Sequence, residues 1–508
     1  MSYLEELHKP DILDCISHLS SDEVFTPPKL VNEILDTLPQ ELFKSPDTKF
    51  LDPCTKSGVF LREIAKRLIA GLADKIPDLQ ERLDHIFKNQ LYGLAITELT
   101  ALLSRRSLYC SKDASSEYSI TKFPESDGNI EYKRTYHVWF KDKCMMCGAS
   151  KSEYDRGEEL ETHAYSFIHT DEQRNSALFK RLKEMKFDVI IGNPPYQLSN
   201  GCFGAGASPL YHYFVQQAKK LNPRYITMII PARWYAGGRG LDSFRDEMLK
   251  DNRIRVLHDF LDASDCFPGV EIKGGVCYFL WDRDNRGECL VSTHKSNVIT
   301  SQAQRPLLEE GCNTFIRYNE SISILRKVKQ LKEKTIDTLM SGQTPFGLNS
   351  NFEDYKAEKD DVNNIKLYYR GGTGYVSKNI ITNNQNLICK HKILVPKAWG
   401  NGSSGNTPDF IKPIYVEPNS CCTQTYIVVG AFDTENKALN YKNYLETDFV
   451  RFLISLKKNT QDAMKGVYAF VPIQNFEEEW SDERLCSKYN LTEDEIAFIK
   501  ATVSKQEN

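Results

Sequence analysis

Phe187-Asp188-Val189-Ile190-Ile191-Gly192-Asn193-Pro194-Pro195-Tyr196 is the stretch that decides the fold. Its first half is apolar and β-branched, which predicts a buried strand. Its second half cannot continue a ladder, because two adjacent prolines remove two backbone donors. The chain therefore makes a rigid turn at the carboxyl end of the strand, and an amide and an aromatic ring project from that turn. Similar apolar runs lie at Lys49 to Leu51, Gln90 to Ile96, Arg224 to Ile230, Ile254 to Phe260, Val276 to Trp281 and Glu288 to Val291. Helical spacing separates them: Phe60, Ile64 and Leu68 share a face, as do Leu210, Tyr213, Phe214 and Ala218. Strand and helix in alternation predict an α/β fold with a mostly parallel, Rossmann-like sheet covered on both faces. Such sheets bind ligands beyond the carboxyl ends of their strands.

The turn chemistry suits a planar ring with an exocyclic amine. The Asn193 side-chain oxygen and the Pro194 carbonyl can both accept from an –NH2 group, and Tyr196 offers a stacking face worth ~1–3 kcal/mol per base. Upstream, Asp52-Pro53-Cys54-Thr55-Lys56-Ser57-Gly58 ends one strand and opens a helix. Gly58 permits close backbone approach, and Asp52 can orient the loop or a ligand amine. Before it, Phe25-Thr26-Pro27-Pro28 reads as a helix start with Thr26 as N-cap.

Asn193 to Tyr196 resembles motif IV of the S-adenosylmethionine-dependent amino-methyltransferases, and Asn in first place resembles the adenine-N6 group. Asp52 to Gly58 resembles motif I, with Lys56 where a glycine is commoner. Phe25-Thr26-Pro27-Pro28 resembles motif X. The order X, I, IV resembles the gamma arrangement of restriction–modification methylases, and the likeness covers about residues 20 to 295. It implies a DNA adenine-N6 methyltransferase acting on a flipped-out base of double-stranded DNA. Asn193, Pro194, Pro195, Tyr196 and Phe267 would form the catalytic site, with Phe267 clamping the base opposite Tyr196. Phe25, Thr26, Asp52, Pro53, Ser57 and Gly58 would hold S-adenosylmethionine. Ala95 stands where an acidic ribose ligand is expected, and Glu98 is the nearby substitute. The loops Asn200 to Ser208 (with Phe203) and Pro231 to Gly240 (with Arg233, Trp234, Tyr235 and Arg239) would line a nucleic-acid mouth. The resemblance also implies a separate cognate restriction endonuclease as a partner. Two rival readings are a protein glutamine methyltransferase and a non-catalytic DNA-binding subunit with a decayed donor site.

The 508 residues exceed one compact core. They divide into a catalytic domain over 1–300, with a polar insertion at 104–173, and a target-recognition domain over 301–508. The second part carries a basic helical stretch from Arg326 to Lys334, Tyr368-Tyr369-Arg370, Trp399 in a glycine loop, and an amphipathic helix over Tyr441 to Lys457. Net charge is −4, so DNA contact requires a local basic surface. The 14 cysteines are expected to be reduced in a cytoplasmic protein, because no apolar leader opens the sequence and no apolar run approaches the ~20 residues of a membrane span. Cys144-Met145-Met146-Cys147-Gly148 reads as a zinc knuckle. Cys110 supplies a third thiolate, and His137, His163 and His169 are in range as fourth ligand, His163 being favoured.

Overall fold

The structure is a computed structural model that describes residues 24–158, 160–173, 176–198, 208–238, 240–296, 298–398, 411–458 and 464–507. The loop with Phe203 and Cys202, Arg239 and Trp399 lie outside the described residues. The chain forms two compact units, 1–315 and 316–508.

The first unit is built on a nine-stranded sheet. Its strands in chain order are β1 (Phe50–Thr55), β2 (Leu91–Ala95), β3 (Ile130–Glu131), then β6 (Val189–Gly192), β7 (Tyr225–Pro231), β8 (Ile254–Phe260), β9 (Val276–Asp282), β10 (Cys289–Lys295) and β11 (Val298–Arg305). A small hairpin of β4 (Trp139–Phe140) and β5 (Lys143–Cys144) stands apart. The order across the large sheet is β11-β10-β8-β9-β7-β6-β1-β2-β3. The centre is parallel: β7 pairs β6, β6 pairs β1, β1 pairs β2 and β2 pairs β3 in that sense. β9 runs antiparallel between β7 and β8. All seven apolar runs of the sequence are strands, and the α/β expectation holds.

Alternate residues of the central strands feed two cores. Leu51, Ile190, Ile226 and Met228 enter one, packed with the helices Tyr211–Lys220 and Asp242–Lys250. Phe50, Val189, Ile191 and Ile229 enter the other, under the helices Pro28–Asp36, Val59–Gly71 and Leu79–Asn89. Both faces being buried explains why these strands read as unbroken apolar runs. Each fully buried side chain of this size contributes about 1.5–3 kcal/mol.

β1 lies between β2 and β6, so the chain leaves in opposite directions along the sheet on its two sides. The crevice outside the carboxyl ends of β1 and β6 is therefore the topological switch point, where open α/β sheets bind ligands. The Asp52–Gly58 and Asn193–Tyr196 segments both leave the sheet there. Gly192 lets them approach: a Cβ at this position would lie 2.8 Å from both Asp52 Oδ1 and Cys54 Sγ.

The expected domain limits shift. The catalytic unit does not end at residue 300, because β11 pairs along its length with β10 and Phe315 sits in the first core. The insertion cannot begin at Ser104, which lies inside the helix Glu98–Tyr109. The second unit holds two three-stranded sheets, one of Asn363–Tyr369, Gly372–Ser377 and Ser420–Cys422, the other of His391–Pro396, Ile414–Val416 and Tyr426–Phe432. The helix expected over Tyr441 to Lys457 is two helices, Glu435–Leu445 and Asp448–Ser455. Thr447 breaks it by turning extended and accepting from the Val450 N–H. No helix among the described residues is long and apolar enough to cross a membrane.

Candidate active site and metal centre

Asn193 is buried at the end of β6. Its Nδ2 donates to the Val24 carbonyl at 3.0 Å and to Thr26 Oγ1 at 3.1 Å. A carbonyl can only accept, so the contact with Val24 fixes which way the amide points. The Asn193 Oδ1 is buried without a formed hydrogen bond, as is the Tyr196 hydroxyl. Tyr196 is half-buried, and its ring packs on the second core. Burial drives its phenol well above the usual range, with only a weak opposing contribution from Asn193. The loop thus presents an amide acceptor beside an aromatic ring.

A recess opens beside Asn193, lined by Phe25, Thr26, Asp52, Cys54, Lys56, Ser57, Gly58, Val59, Phe60 and Asn193. Pro53 breaks the β1–β2 register between Asp52 and Thr55, since it has no N–H to donate. The freed chain turns through Gly58 (φ 75°), which opens the helix Val59–Gly71. A Cβ there would meet Leu108 at 2.7 Å. Asp52 Oδ1 accepts from the Cys54 N–H at 3.1 Å. Burial raises the Asp52 carboxyl to about 6 against the loop's hydrogen bonds. Burial and the Asp52 charge push the Cys54 thiol well up, so this cysteine is no thiolate nucleophile.

Lys56 has a definite task. It is buried, and its Nζ donates to the Val24 carbonyl at 3.0 Å. One carbonyl therefore joins Lys56 of the first loop, Asn193 of the second and the 24–26 segment. Thr26 departs from the sequence reading. It is not an N-cap; Pro27 holds that position, and the Thr26 hydroxyl receives Asn193 instead.

Other expected members lie elsewhere. Phe267 is 2% exposed in the second core. Asp262 caps a short turn, the Phe267 N–H donates back to the Ala263 carbonyl, and the ring packs inward. It offers no open clamp face. Glu98 is exposed in the first turn of its helix, outside the recess lining, where Thr97 and Thr100 form a capping box. Trp234 and Tyr235 are core residues, and the Tyr235 hydroxyl donates to Asp259 at 3.1 Å.

Within the insertion, His137, Cys144, Cys147 and His169 converge, with their ligand atoms all within 4.8 Å of one another. Cys147 Sγ is 3.4 Å from His137 Nδ1, and Cys144 Sγ is 3.7 Å from His169 Nε2. A tetrahedral zinc with ordinary bond lengths would separate sulfur from nitrogen by about 3.6 Å. The outer ring nitrogens are engaged: His137 Nε2 meets the Thr162 carbonyl and His169 Nδ1 the Tyr165 carbonyl, each at 2.8 Å. Carbonyls accept, so the inner nitrogens carry the lone pairs a metal needs. Gly148 (φ 74°) closes the knuckle by donating to the Cys144 carbonyl, and the Met146 N–H points at Cys144 Sγ. Cys110 and His163 are not members, which corrects the sequence reading. Cys110 is the exposed C-cap of the helix Glu98–Tyr109, and His163 turns toward Tyr165 and Tyr154.

Residues 89–267 match the Eco57I restriction-modification methylase family. A protein of Mycoplasma pneumoniae (strain M129), described as an "Uncharacterized adenine-specific methylase", is 40% identical over 365 residues, 66% of this chain and 85% of that protein. The chain belongs to the adenine-specific methylase family. Methylases of this kind use S-adenosylmethionine, and the recess beside Asn193 holds one acidic side chain, Asp52, and the Gly58 turn. Among solved structures, the methylase resembles the nuclease-deleted Type ISP restriction-modification enzyme LlaGI in complex with a DNA substrate mimic, with TM-score 0.47, 12% identity, and coverage of 89% of this chain and 54% of that one. It also resembles the Type IIL enzyme MmeI in complex with DNA, with TM-score 0.45, 12% identity, and coverage of 97% and 78%. The chain thus spans about half the length of that nuclease-deleted chain.

Proposed function

We propose that this methylase transfers a methyl group to N6 of an adenine flipped out of double-stranded DNA, as the modification activity of a restriction–modification system. The observation that carries the reading is Asn193, whose amide hydrogens are held by Val24 and Thr26 while its oxygen stays buried and open to a new donor. An adenine amine placed there donates to Asn193 Oδ1 and the Pro194 carbonyl. Both acceptors draw on its hydrogens, which makes the nitrogen lone pair more available. Tyr196 stacks on the base and offsets part of the unstacking cost, a few kcal/mol. Phe25, Thr26, Asp52, Ser57 and Gly58 of the recess, with Pro53 shaping the loop behind them, would hold S-adenosylmethionine, which supplies the methyl electrophile when bound. The protein's contribution is alignment, which needs no covalent enzyme intermediate. With Phe267 in the core, Tyr196 is the side chain that supports base stacking.

We also propose that His137, Cys144, Cys147 and His169 hold a structural zinc. Two thiolates and two neutral imidazoles fill the coordination sphere and leave no open position for catalysis. The unit 316–508 is proposed to read the DNA target, with Arg370 exposed at a hairpin tip as one contact. Part of its expected basic stretch is engaged within the unit, since Lys327 pairs with Glu495 at 2.7 Å.

The test is single-molecule sequencing of DNA from a host expressing the protein. N6-methyladenine in one sequence motif, lost in Asn193→Ala, is expected. Methylated protein with unmodified DNA would favour the glutamine reading.

A further inference from the structure

The chain enters the zinc-knuckle region from Glu131, the last residue of β3. β3 pairs in parallel with β2 (Gly93↔Ile130, Leu94↔Glu131), so it departs from the carboxyl end of the sheet, the end that carries Asn193. The hairpin β4–β5 follows. His137 turns inward to the Cys/His cluster. Its neighbours turn out: Tyr136 is 53% exposed, Val138 42% and Phe140 60%, and across the turn Met145 is 52% exposed. Exposed apolar side chains grouped on one face and rimmed by polar residues mark a contact surface. Here the hairpin is held from beneath by His137, Cys144 and Cys147, so its outer face stays turned to solvent.

Residues 132–151 carry five basic residues and one acidic residue, in a chain whose net charge is −4. Arg134 is engaged with the Gly157 and Leu160 carbonyls and Lys151 lies 3.9 Å from Asp155, which leaves Lys141 and Lys143 for the tip. Lys141 and Lys143 are exposed at the hairpin turn, and Lys141 Nζ lies 5.4 Å over the Phe140 ring. Cations around an apolar tip suit the duplex surface: phosphates for the lysines and an opened base step for an aromatic or thioether wedge.

We propose that this hairpin is a second DNA-contact surface, in which Lys141 and Lys143 hold phosphates beside the target base and Phe140 and Met145 press on the adjoining base step. The inference rests on the DNA reading above and adds a contact outside the cofactor recess and the second unit.

The full-length, zinc-loaded protein tests it. Binding to a mixed-sequence duplex of about 30 base pairs is followed by fluorescence anisotropy across a salt series. Lys141→Ala/Lys143→Ala is expected to reduce the slope of log affinity against log salt by about 2, close to 0.9 per phosphate contact. Phe140→Ser is expected to weaken binding about fivefold or more with little change in slope. Zinc content and S-adenosylmethionine binding by calorimetry stay as in the parent, which separates a lost contact from a lost fold. Variants that bind the duplex with the parent's affinity and slope overturn the inference and assign the face to a protein partner. A parent protein that binds no duplex at any salt overturns the DNA reading itself, and this inference with it.

Discussion

At Asn193 both amide hydrogens are engaged with the 24–26 segment, and Lys56 donates to the same Val24 carbonyl. Lys56→Gly would restore the commoner motif residue and remove this tie. Hydrogen bonds to charged groups contribute about 1.5–3 kcal/mol, so we predict a lower melting temperature and weaker S-adenosylmethionine binding by calorimetry. An unchanged affinity would show that the tie is dispensable. Asp52 gives a pH prediction. Its carboxyl titrates near 6 when folded against about 3.8 unfolded, so the unfolded chain gives up its proton first as pH rises. Well below pH 3.8 both states are protonated and Asp52 costs nothing. The cost grows from about pH 3.8 to 6 and then levels off, on the order of 3 kcal/mol. Asp52→Asn should therefore stabilise the cofactor-free protein at pH 7.5 in denaturant melts, with the gain shrinking as pH falls below 6 and vanishing well below pH 3.8. If Asp52 holds the cofactor's amine, the same substitution weakens S-adenosylmethionine binding at pH 7.5.

Among elements, the knuckle packs around a buried polar cluster. Its four proposed ligands lie between apolar neighbours such as Tyr154, Tyr165 and Phe167, and without an ion two buried thiols and two imidazoles face each other. We predict one zinc per chain by atomic emission, lost in Cys147→Ser and in His137→Ala and kept in Cys110→Ser and His163→Ala. Chelation should lower the melting temperature of the parent and not of the zinc-free variants. Retention of zinc in His137→Ala would refute this ligand set. The spacing Cys-x2-Cys was legible in the sequence, and the histidine partners were not. His137 precedes the knuckle by seven residues and His169 follows it by more than twenty, and only the hairpin and the turn at Tyr165 bring both rings to the thiols. A usable signal was the alternation over Tyr136 to Phe140, which places His137 opposite three large apolar or aromatic side chains.

For the molecule as a whole, the limit of the first unit sets what can be cut. A chain ending at residue 300 would strip most of β11 from β10 and remove Phe315 from the core; one ending at Phe315 keeps both. The shorter fragment should aggregate through its exposed edge strand, and the longer one should melt cooperatively by circular dichroism. Equal solubility of the two would contradict this limit. The change of texture near residue 301 misled because β11 is a polar edge strand with alternating exposed residues, and it looks unlike the buried strands before it.

The sequence by itself determined the seven buried strands, the α/β class, and the pairing of an amide-bearing turn with a glycine-opened loop. Those readings depend on local causes: apolar runs, proline's missing donor, and glycine's freedom of φ. The tertiary structure alone decided that Lys56 and Thr26 serve Asn193, that Phe267, Trp234 and Tyr235 belong to the core, and which histidines face the knuckle. Each of these depends on contacts between residues far apart in the chain, where burial and hydrogen-bond partners are set by the packing of whole elements.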